Sequence, residues 1–195
     1  MPCSADFSWS GVIGPHGGYE GLKAYQNAEI IYDATVVFCD RFIDRRSRTH
    51  DQMVQAARSG KQNIAEGSMA SGTSTKTELK LAGVARASLE ELLLDYQDLL
   101  RQRGLRRWSK DEPRALEVRR LASAEHRSYT TYRSSVEQSD AETAANALIC
   151  LIHQTDYLLD QLLRQLDERF RQEGGFTEKL YQARDGTRRC RTSSR

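Results

Sequence analysis

Apolar side chains recur at steps of three and four residues through the last third of the chain before its C-terminal tail. The positions are Ala144, Leu148, Leu151, Thr155, Leu158, Leu162, Leu166 and Phe170. This spacing places one side chain from each turn on the same face of an α-helix. A long helix with one continuous apolar face is stable in water when other helices cover that face. The run therefore predicts an all-α protein of packed long helices.

Three other segments carry a similar period and supply the neighbours. We predict a first helix from about Tyr19 to near Arg46, a second that begins at Thr49, and a third from Thr75 to a stop at Gly104. The fourth helix begins at Ser139 and ends at residues 174–175. The starts of the second, third and fourth helices, and of a short helix near 110–125, are each assigned to a capping box, in which a hydroxyl and a side chain three residues later bind open amides of the first turn. The four proposed boxes are Thr49 with Gln52, Thr75 with Glu78, Ser109 with Glu112, and Ser139 with Glu142.

Short connections near Ser47 and Gly72 require the first three helices to run antiparallel. A longer polar insertion at 104–139, with one short helix near 110–125, leads to the fourth. The predicted fold is an all-α antiparallel up-down-up-down four-helix bundle with an inserted short helix between helices 3 and 4. It spans 19–175, after a flexible leader at 1–18 and before a basic, disordered tail at 176–195.

Composition excludes several classes of function. The net charge is only +2, so a basic surface must come from the distribution of charge rather than from its total. No apolar stretch approaches the roughly 20 residues needed to span a bilayer, which predicts a cytoplasmic protein without membrane contact. The four cysteines include no C-x-x-C pair, and Cys39 and Cys150 fall beside core positions, so we expect buried free thiols and no cofactor or metal.

The second helix has an unusual face of small residues, which includes Gly60 and Gly67. Gly60 costs roughly 1 kcal/mol of helix propensity relative to alanine, which indicates close approach of a neighbouring helix. Asn63 and Glu66 lie three apart beside this face. They are interpreted as residues that fix helix register, with a ligand or acid role as the alternative.

Residues 58–67, RSGKQNIAEG, together with 85–92, ARASLEEL, carry a family resemblance. They resemble the bacterial four-helix-bundle family that includes proteins encoded in intervening sequences of large-subunit rRNA genes. The accessory variability proteins of diversity-generating retroelements belong to the same superfamily. The resemblance is closest over about 19–103 and is only at the level of pattern over 140–172. The leader, the 104–139 segment and the tail resemble the additions of a longer subgroup with a four-helix-bundle suffix domain.

The resemblance implies a non-catalytic protomer that forms a ring, often a pentamer. In the retroelement branch, a basic surface of that ring is thought to engage reverse transcriptase and RNA. The motif itself implies helix packing rather than chemistry. The residues assigned to packing are Gly60, Asn63, Ile64, Ala65, Glu66, Gly67, Ser88 and Leu89.

The predicted topology brings two groups of arginines to one pole, because helices 1 and 3 would end there. The candidate nucleic-acid-binding residues are Arg41, Arg45, Arg46, Arg48, Arg101, Arg103, Arg106 and Arg107, with Trp108 as a platform for base stacking. Several guanidinium groups that neutralise phosphates together give tight, salt-dependent binding. The expected function is therefore an oligomeric protein that binds RNA, DNA or a nucleic-acid enzyme such as a reverse transcriptase.

Other interpretations remain open. Nearby carboxylates could neutralise these arginines; the candidates are Asp40, Asp44, Asp51, Asp95, Asp98 and Asp111. The chain could instead be a protein–protein scaffold without nucleic-acid binding. An enzyme is the third interpretation. It ranks last because the core helices have no Glu-x-x-His and the histidines have no metal-site spacing.

Overall fold

The chain is all-helical over the part that the structure describes. The computed structural model covers residues 16–122, 127–173, 180–181 and 184–185. Its regular elements within these ranges are a 3₁₀ turn, Tyr19–Gly21, and six α-helices. The helices are α1 (Lys23–Phe42), α2 (Arg48–Ala70), α3 (Thr75–Gln102), α4 (Pro113–Leu121), α5 (Tyr129–Glu137) and α6 (Ala141–Glu173). The all-α prediction is confirmed.

Serine side chains just before the predicted boxes cap α2 and α3. Ser47 Oγ accepts from the Thr49 amide at 3.2 Å, so α2 begins one residue before the predicted Thr49. Ser74 Oγ accepts from Thr77 N at 3.1 Å, and α3 begins at Thr75 as predicted. The predicted boxes at Thr49 and Thr75 are wrong as caps, because both threonines already lie inside their helices.

The other two predicted boxes are wrong for a similar reason. Asp140 Oδ1 accepts from Thr143 N at 2.8 Å at the start of α6, while Ser139 Oγ donates back to the Ser135 carbonyl. The cap residue of α4 is Glu112, which makes no side-chain capping bond, and Pro113 occupies the first turn. Proline is tolerated there because the first amides of a helix have no partner within it.

The ends of α1 and α3 set one end of the molecule. Helix α1 stops at Phe42, four residues before the predicted Arg46, because Ile43 is extended. Beyond α3, Gly104 adopts φ +64°, and the Leu105 amide donates to the Leu100 carbonyl at 2.9 Å. This is a Schellman stop, in which glycine tolerates the left-handed conformation. It confirms Gly104 as the stop signal of the third predicted helix.

Four long helices share one core. Helix α2 packs against α1 and α3, and α6 packs against α3 and α1. The largest fully buried side chains come from all four: Phe38, Met53, Leu89, Leu92, Tyr96, Leu148 and Ile152 are examples. The rings of Phe38 and Tyr96 meet nearly edge to face with centroids 5.0 Å apart. The predicted apolar faces are thus the ones that meet, except that Phe170 near the end of α6 is 37% exposed.

Two ion pairs join α3 to α6. Arg86 Nε lies 2.6 Å from Asp160 Oδ1, and Glu78 near the start of α3 pairs with Arg169 near the end of α6. The start of α3 therefore lies beside the end of α6.

The insertion at 104–139 contributes side chains to the hydrophobic core, although most of its residues are polar. Trp108, Ala115, Val118, Tyr132 and Val136 are all buried and belong to the main hydrophobic cluster. Helix α4 packs on α6, and α5 packs on α1 and α6. Two short helices occupy this insertion where one was predicted.

Parts of the predicted leader and tail lie outside the described residues, as do Cys3 and Cys190. Of the leader, Gly17 is tied to α2: its amide donates to the Ser68 carbonyl, and Ser68 Oγ donates to its carbonyl, both at 3.0 Å. Cys39 and Cys150 are free and buried, as predicted. Among the helices of the described ranges, none has the length and hydropathy to cross a membrane.

Candidate nucleic-acid interface

Hydrogen bonds bring the two arginine groups to one end of the molecule. Arg103 Nη2 donates to the carbonyl of Phe42 at 2.6 Å, which links the end of α3 to the end of α1. Arg41 donates to the carbonyls of Val136 and Ser139, which links α1 to α5 and to the start of α6. We call the eight residues Arg41, Arg45, Arg46, Arg48, Arg101, Arg103, Arg106 and Arg107 the arginine end.

Three members of the arginine end have carboxylate partners. Arg45 lies 2.9 Å from Asp40, Arg101 lies 2.8 Å from Asp98, and Arg106 pairs with Glu112. The three guanidinium side chains are 66–76% exposed. Exposed pairs of this kind contribute about 0–1 kcal/mol, so they can exchange a carboxylate for a phosphate at little cost.

Arg46, Arg48 and Arg107 are exposed and make no ion pair with any described residue. Nearby carboxylates therefore neutralise only some of these arginines. The arginine end keeps positive charge that points into water.

Trp108 does not lie at the surface, which corrects its assignment as a stacking platform. Its side chain is 8% exposed, and its backbone amide donates to Asn146 Oδ1 at 2.8 Å. The guanidinium of Arg114 lies 5.9 Å from the centroid of its ring. Burial in the core of the protein leaves no open ring face for a base.

Asn146 holds the loop that carries Arg106 and Arg107. Its amide nitrogen donates to the carbonyls of Arg106 and Glu142, both at 2.8 Å. The Glu142 carboxylate in turn accepts from the Arg106 amide at 2.9 Å. The positions of these arginines thus depend on a buried asparagine, which the sequence analysis did not single out because its partners lie 38 and 40 residues away.

The small-residue face of α2 lies against α3. A Cβ atom built on Gly60 would lie 2.7 Å from Leu89 Cδ2, and one on Gly67 would lie 3.4 Å from Leu81 Cβ. Ile64 and Ala65 of the same motif are buried. The helices therefore approach closely because these positions carry no large side chain.

A short polar chain crosses the same contact. Ser59 Oγ and Ser88 Oγ are 3.0 Å apart, and Asn63 Nδ2 donates to Ser59 Oγ at 3.1 Å. Glu66 is exposed and has no place in this chain. The Ser59–Ser88 contact joins α2 to α3, whereas Asn63 bonds within α2 and orients Ser59.

Asp156, on α6, is a buried acid that the sequence analysis missed. Asp156 is 7% exposed, and neither of its carboxylate oxygens has a hydrogen-bond partner among the described residues. Burial, followed by repulsion from Glu90, raises its pKa to about 7, although Arg86 opposes the shift. The only sequence signal for its burial was its position next to the core positions of the heptad-like run.

The buried thiols are poor nucleophiles. Burial raises the pKa of Cys39 to about 12, and burial also raises the pKa of Cys150. Since the thiolate is the reactive form, neither site favours thiol chemistry at neutral pH.

No group of three or more histidine, cysteine or acidic side chains among the described residues is arranged to hold a metal ion. Comparison of the chain with models of known families, with curated proteins and with solved structures gives no significant match.

Proposed function

We propose that the four long helices form an antiparallel up-down-up-down four-helix bundle, with α4 and α5 as an insertion between α3 and α6. The contact between Arg103 and the Phe42 carbonyl supports a common direction for α1 and α3. The pairs Arg86–Asp160 and Glu78–Arg169 support an opposite direction for α6.

We further propose that the protein is a non-catalytic oligomer that binds RNA or DNA, or a nucleic-acid enzyme, through the arginine end. The observation that carries this proposal is the 2.6 Å contact between Arg103 and the carbonyl of Phe42, because it joins the C-terminal ends of α1 and α3, near which the candidate arginines lie in sequence. Guanidinium groups bind phosphate oxygens through paired hydrogen bonds, and several together neutralise neighbouring phosphates.

Self-association is proposed from the family resemblance of residues 58–67 and 85–92, which implies a ring of protomers. A cytoplasmic location is part of the same proposal. A ring would repeat the arginine end around its axis and multiply its charge. Light scattering on the purified chain measures the number of protomers directly.

The test of nucleic-acid binding is a salt titration with a labelled single-stranded RNA. The affinity should fall steeply with salt, since each neutralised phosphate of a single strand contributes about 0.7 to the slope of log K against log salt. Replacement of Arg46, Arg48 and Arg107 by glutamine should weaken binding at low salt and lower that slope by about 2.

A matched control replaces three exposed arginines outside the arginine end, Arg58, Arg120 and Arg164, by glutamine. It removes the same charge and should leave the slope near that of the wild type. Equal loss in both triple variants would refute a localised site and leave only non-specific attraction.

A protein–protein scaffold is the second candidate. Large apolar side chains are exposed on three long helices: Met69 is 58% exposed, Leu94 is 55% exposed and Tyr157 is 62% exposed. RNA affinity that is absent, or that does not respond to salt, favours this alternative.

A further inference from the structure

A cavity, distinct in its lining from the arginine end, lies where α1, α4 and α6 meet. Its volume is about 470 Å³, within the range of pockets that hold small molecules. Lys23 and Asn27 come from α1, Arg119 from α4, and Gln154 and Tyr157 from α6. Arg127, which precedes α5, completes the polar part of the lining.

The charged side chains that line this cavity in the described ranges are all positive. Lys23, Arg119 and Arg127 contribute three positive charges, and no residue that lines the cavity in the described ranges carries a carboxylate. His153 also lines it; burial, then Arg107, lowers the pKa of His153, while Glu90 opposes the shift. The imidazole is thus neutral near pH 7, and the cationic charge comes from the lysine and the two arginines.

Polar groups at the base of the cavity lack partners. Asn27 is fully buried; its Oδ1 accepts from Arg127 Nη1 at 3.1 Å, but its Nδ2 has no partner among the described residues. Gln154 Oε1 is also buried without a partner there. A buried amide atom without a hydrogen bond is unfavourable, and a ligand that supplies the missing bond gains affinity from it.

The rim supplies an aromatic surface. Tyr157 is 62% exposed, and its hydroxyl accepts from Gln161 Nε2 at 2.9 Å, which orients the ring. Leu158 adds an apolar wall beside it.

We propose that this cavity binds a small phosphate monoester that carries an aromatic group, such as a nucleoside monophosphate. A phosphate monoester carries nearly two negative charges at pH 7, which suits three cations better than a single carboxylate does. The cations bind the phosphate, and the aromatic group stacks on Tyr157. Asn27 Nδ2 and Gln154 Oε1 are shielded from solvent, so they bond to the ligand only after their side chains turn toward the cavity. The site does not depend on nucleic-acid binding at the arginine end.

Calorimetric titration of the full chain with adenosine 5′-monophosphate tests the site. Inorganic phosphate and adenosine are the comparison probes. We expect saturable binding of the monophosphate with a dissociation constant below about 1 mM, at least tenfold weaker binding of inorganic phosphate, and weaker binding still of adenosine. No heat from the monophosphate, or equal affinity for adenosine, overturns the proposal.

Adjacent arginines on α4 provide a matched pair of variants. Arg119 lines the cavity, whereas Arg120 is exposed outside it. Arg119→Gln should weaken monophosphate binding by about tenfold, and Arg120→Gln should change it by less than about twofold. Lys23→Gln, at an exposed position, serves as a second cavity variant that leaves the core intact. Equal effects of Arg119→Gln and Arg120→Gln, with helicity retained, would remove the cavity as the site.

Discussion

The hydroxyl of Tyr96 donates a hydrogen bond to Thr35 Oγ1 across 3.0 Å, and both residues are completely shielded from water. Burial raises the pKa of Tyr96 well above 10, so the phenol keeps its proton as a donor. This bond joins α1 and α3, whose principal neighbours among the long helices are α2 and α6. It therefore ties two helices together across the middle of the core.

Replacement of Tyr96 by phenylalanine should lower the free energy of unfolding by about 1–2 kcal/mol, because the Thr35 hydroxyl loses its buried partner. Urea denaturation measures the change. Tyr157→Phe is the control, since that hydroxyl bonds to Gln161 at the exposed surface and should contribute less than about 0.5 kcal/mol. Equal losses in the two variants would contradict a special role for the buried bond.

Gly60 should not tolerate a large side chain. Gly60→Leu would push atoms into Leu89 and should cost about 1–3 kcal/mol or more. At Gly83, by contrast, a Cβ atom would meet nothing within 4 Å, so Gly83→Ala should stabilise α3 by about 0.5–1 kcal/mol. Thermal melts of both variants check the pair, and a Gly60→Leu melt like that of the wild type would refute the close contact.

Asp156 should make stability depend on pH. Its folded-state pKa of about 7 lies above the ordinary value of 3.8, so the folded state retains a proton that the unfolded state loses. Stability is greatest below the ordinary value and falls as pH rises through the folded-state pKa. Asp156→Asn should raise the melting temperature most at about pH 8, less at about pH 5, and least at about pH 3.5, below the ordinary pKa.

The comparison of wild type with Asp156→Asn isolates this group from Glu90, Asp160 and Arg86, which remain in both proteins. Asp167→Asn, at an exposed carboxylate of the same helix paired with Arg171, should leave the pH dependence unchanged. Parallel pH curves for wild type and Asp156→Asn would show that the buried carboxylate does not titrate in this range.

Asn146→Ala should destabilise the protein by about 1–3 kcal/mol, because the Trp108 amide and the Arg106 carbonyl lose their partner in the interior. Asn63→Ala is a suitable comparison, as the Asn63 amide bonds within its own helix to the Ser59 carbonyl at 2.8 Å. Amide hydrogen exchange at residues 105–108 should accelerate only in the Asn146 variant. Unchanged exchange there would contradict the anchoring role.

The helices and most of their core faces could be predicted because spacing by three and four is a local property of the chain. Caps were harder, since the Ser/Thr-x-x-Glu/Gln pattern recurs in several registers. The acids that completed two of these patterns serve distant partners instead: Glu78 pairs with Arg169, and Glu142 binds the Arg106 amide. Helix α5 was missed because only Tyr132 and Val136 mark its buried face in a polar segment.

The sites were less predictable than the helices, because they depend on contacts between residues far apart in the sequence. Topology alone put Arg41 and Arg103 in one place, but it could not show that Trp108 turns inward. The contact of Asn27 with Arg127 spans 100 positions, and neither residue lies in a motif. Such a cavity exists only once the helices have packed.

The two hydrogen bonds between Gly17 and Ser68 mark a position far from the arginine end where a probe can be attached. Ser68 lies 20 residues into α2, about 30 Å along its axis from Arg48. A chromophore or surface tether coupled through Glu20→Cys, close to that junction, in a chain whose Cys3 and Cys190 are replaced by serine, would therefore leave the guanidinium groups facing solution, so single-molecule measurements could proceed with the protein in a known orientation.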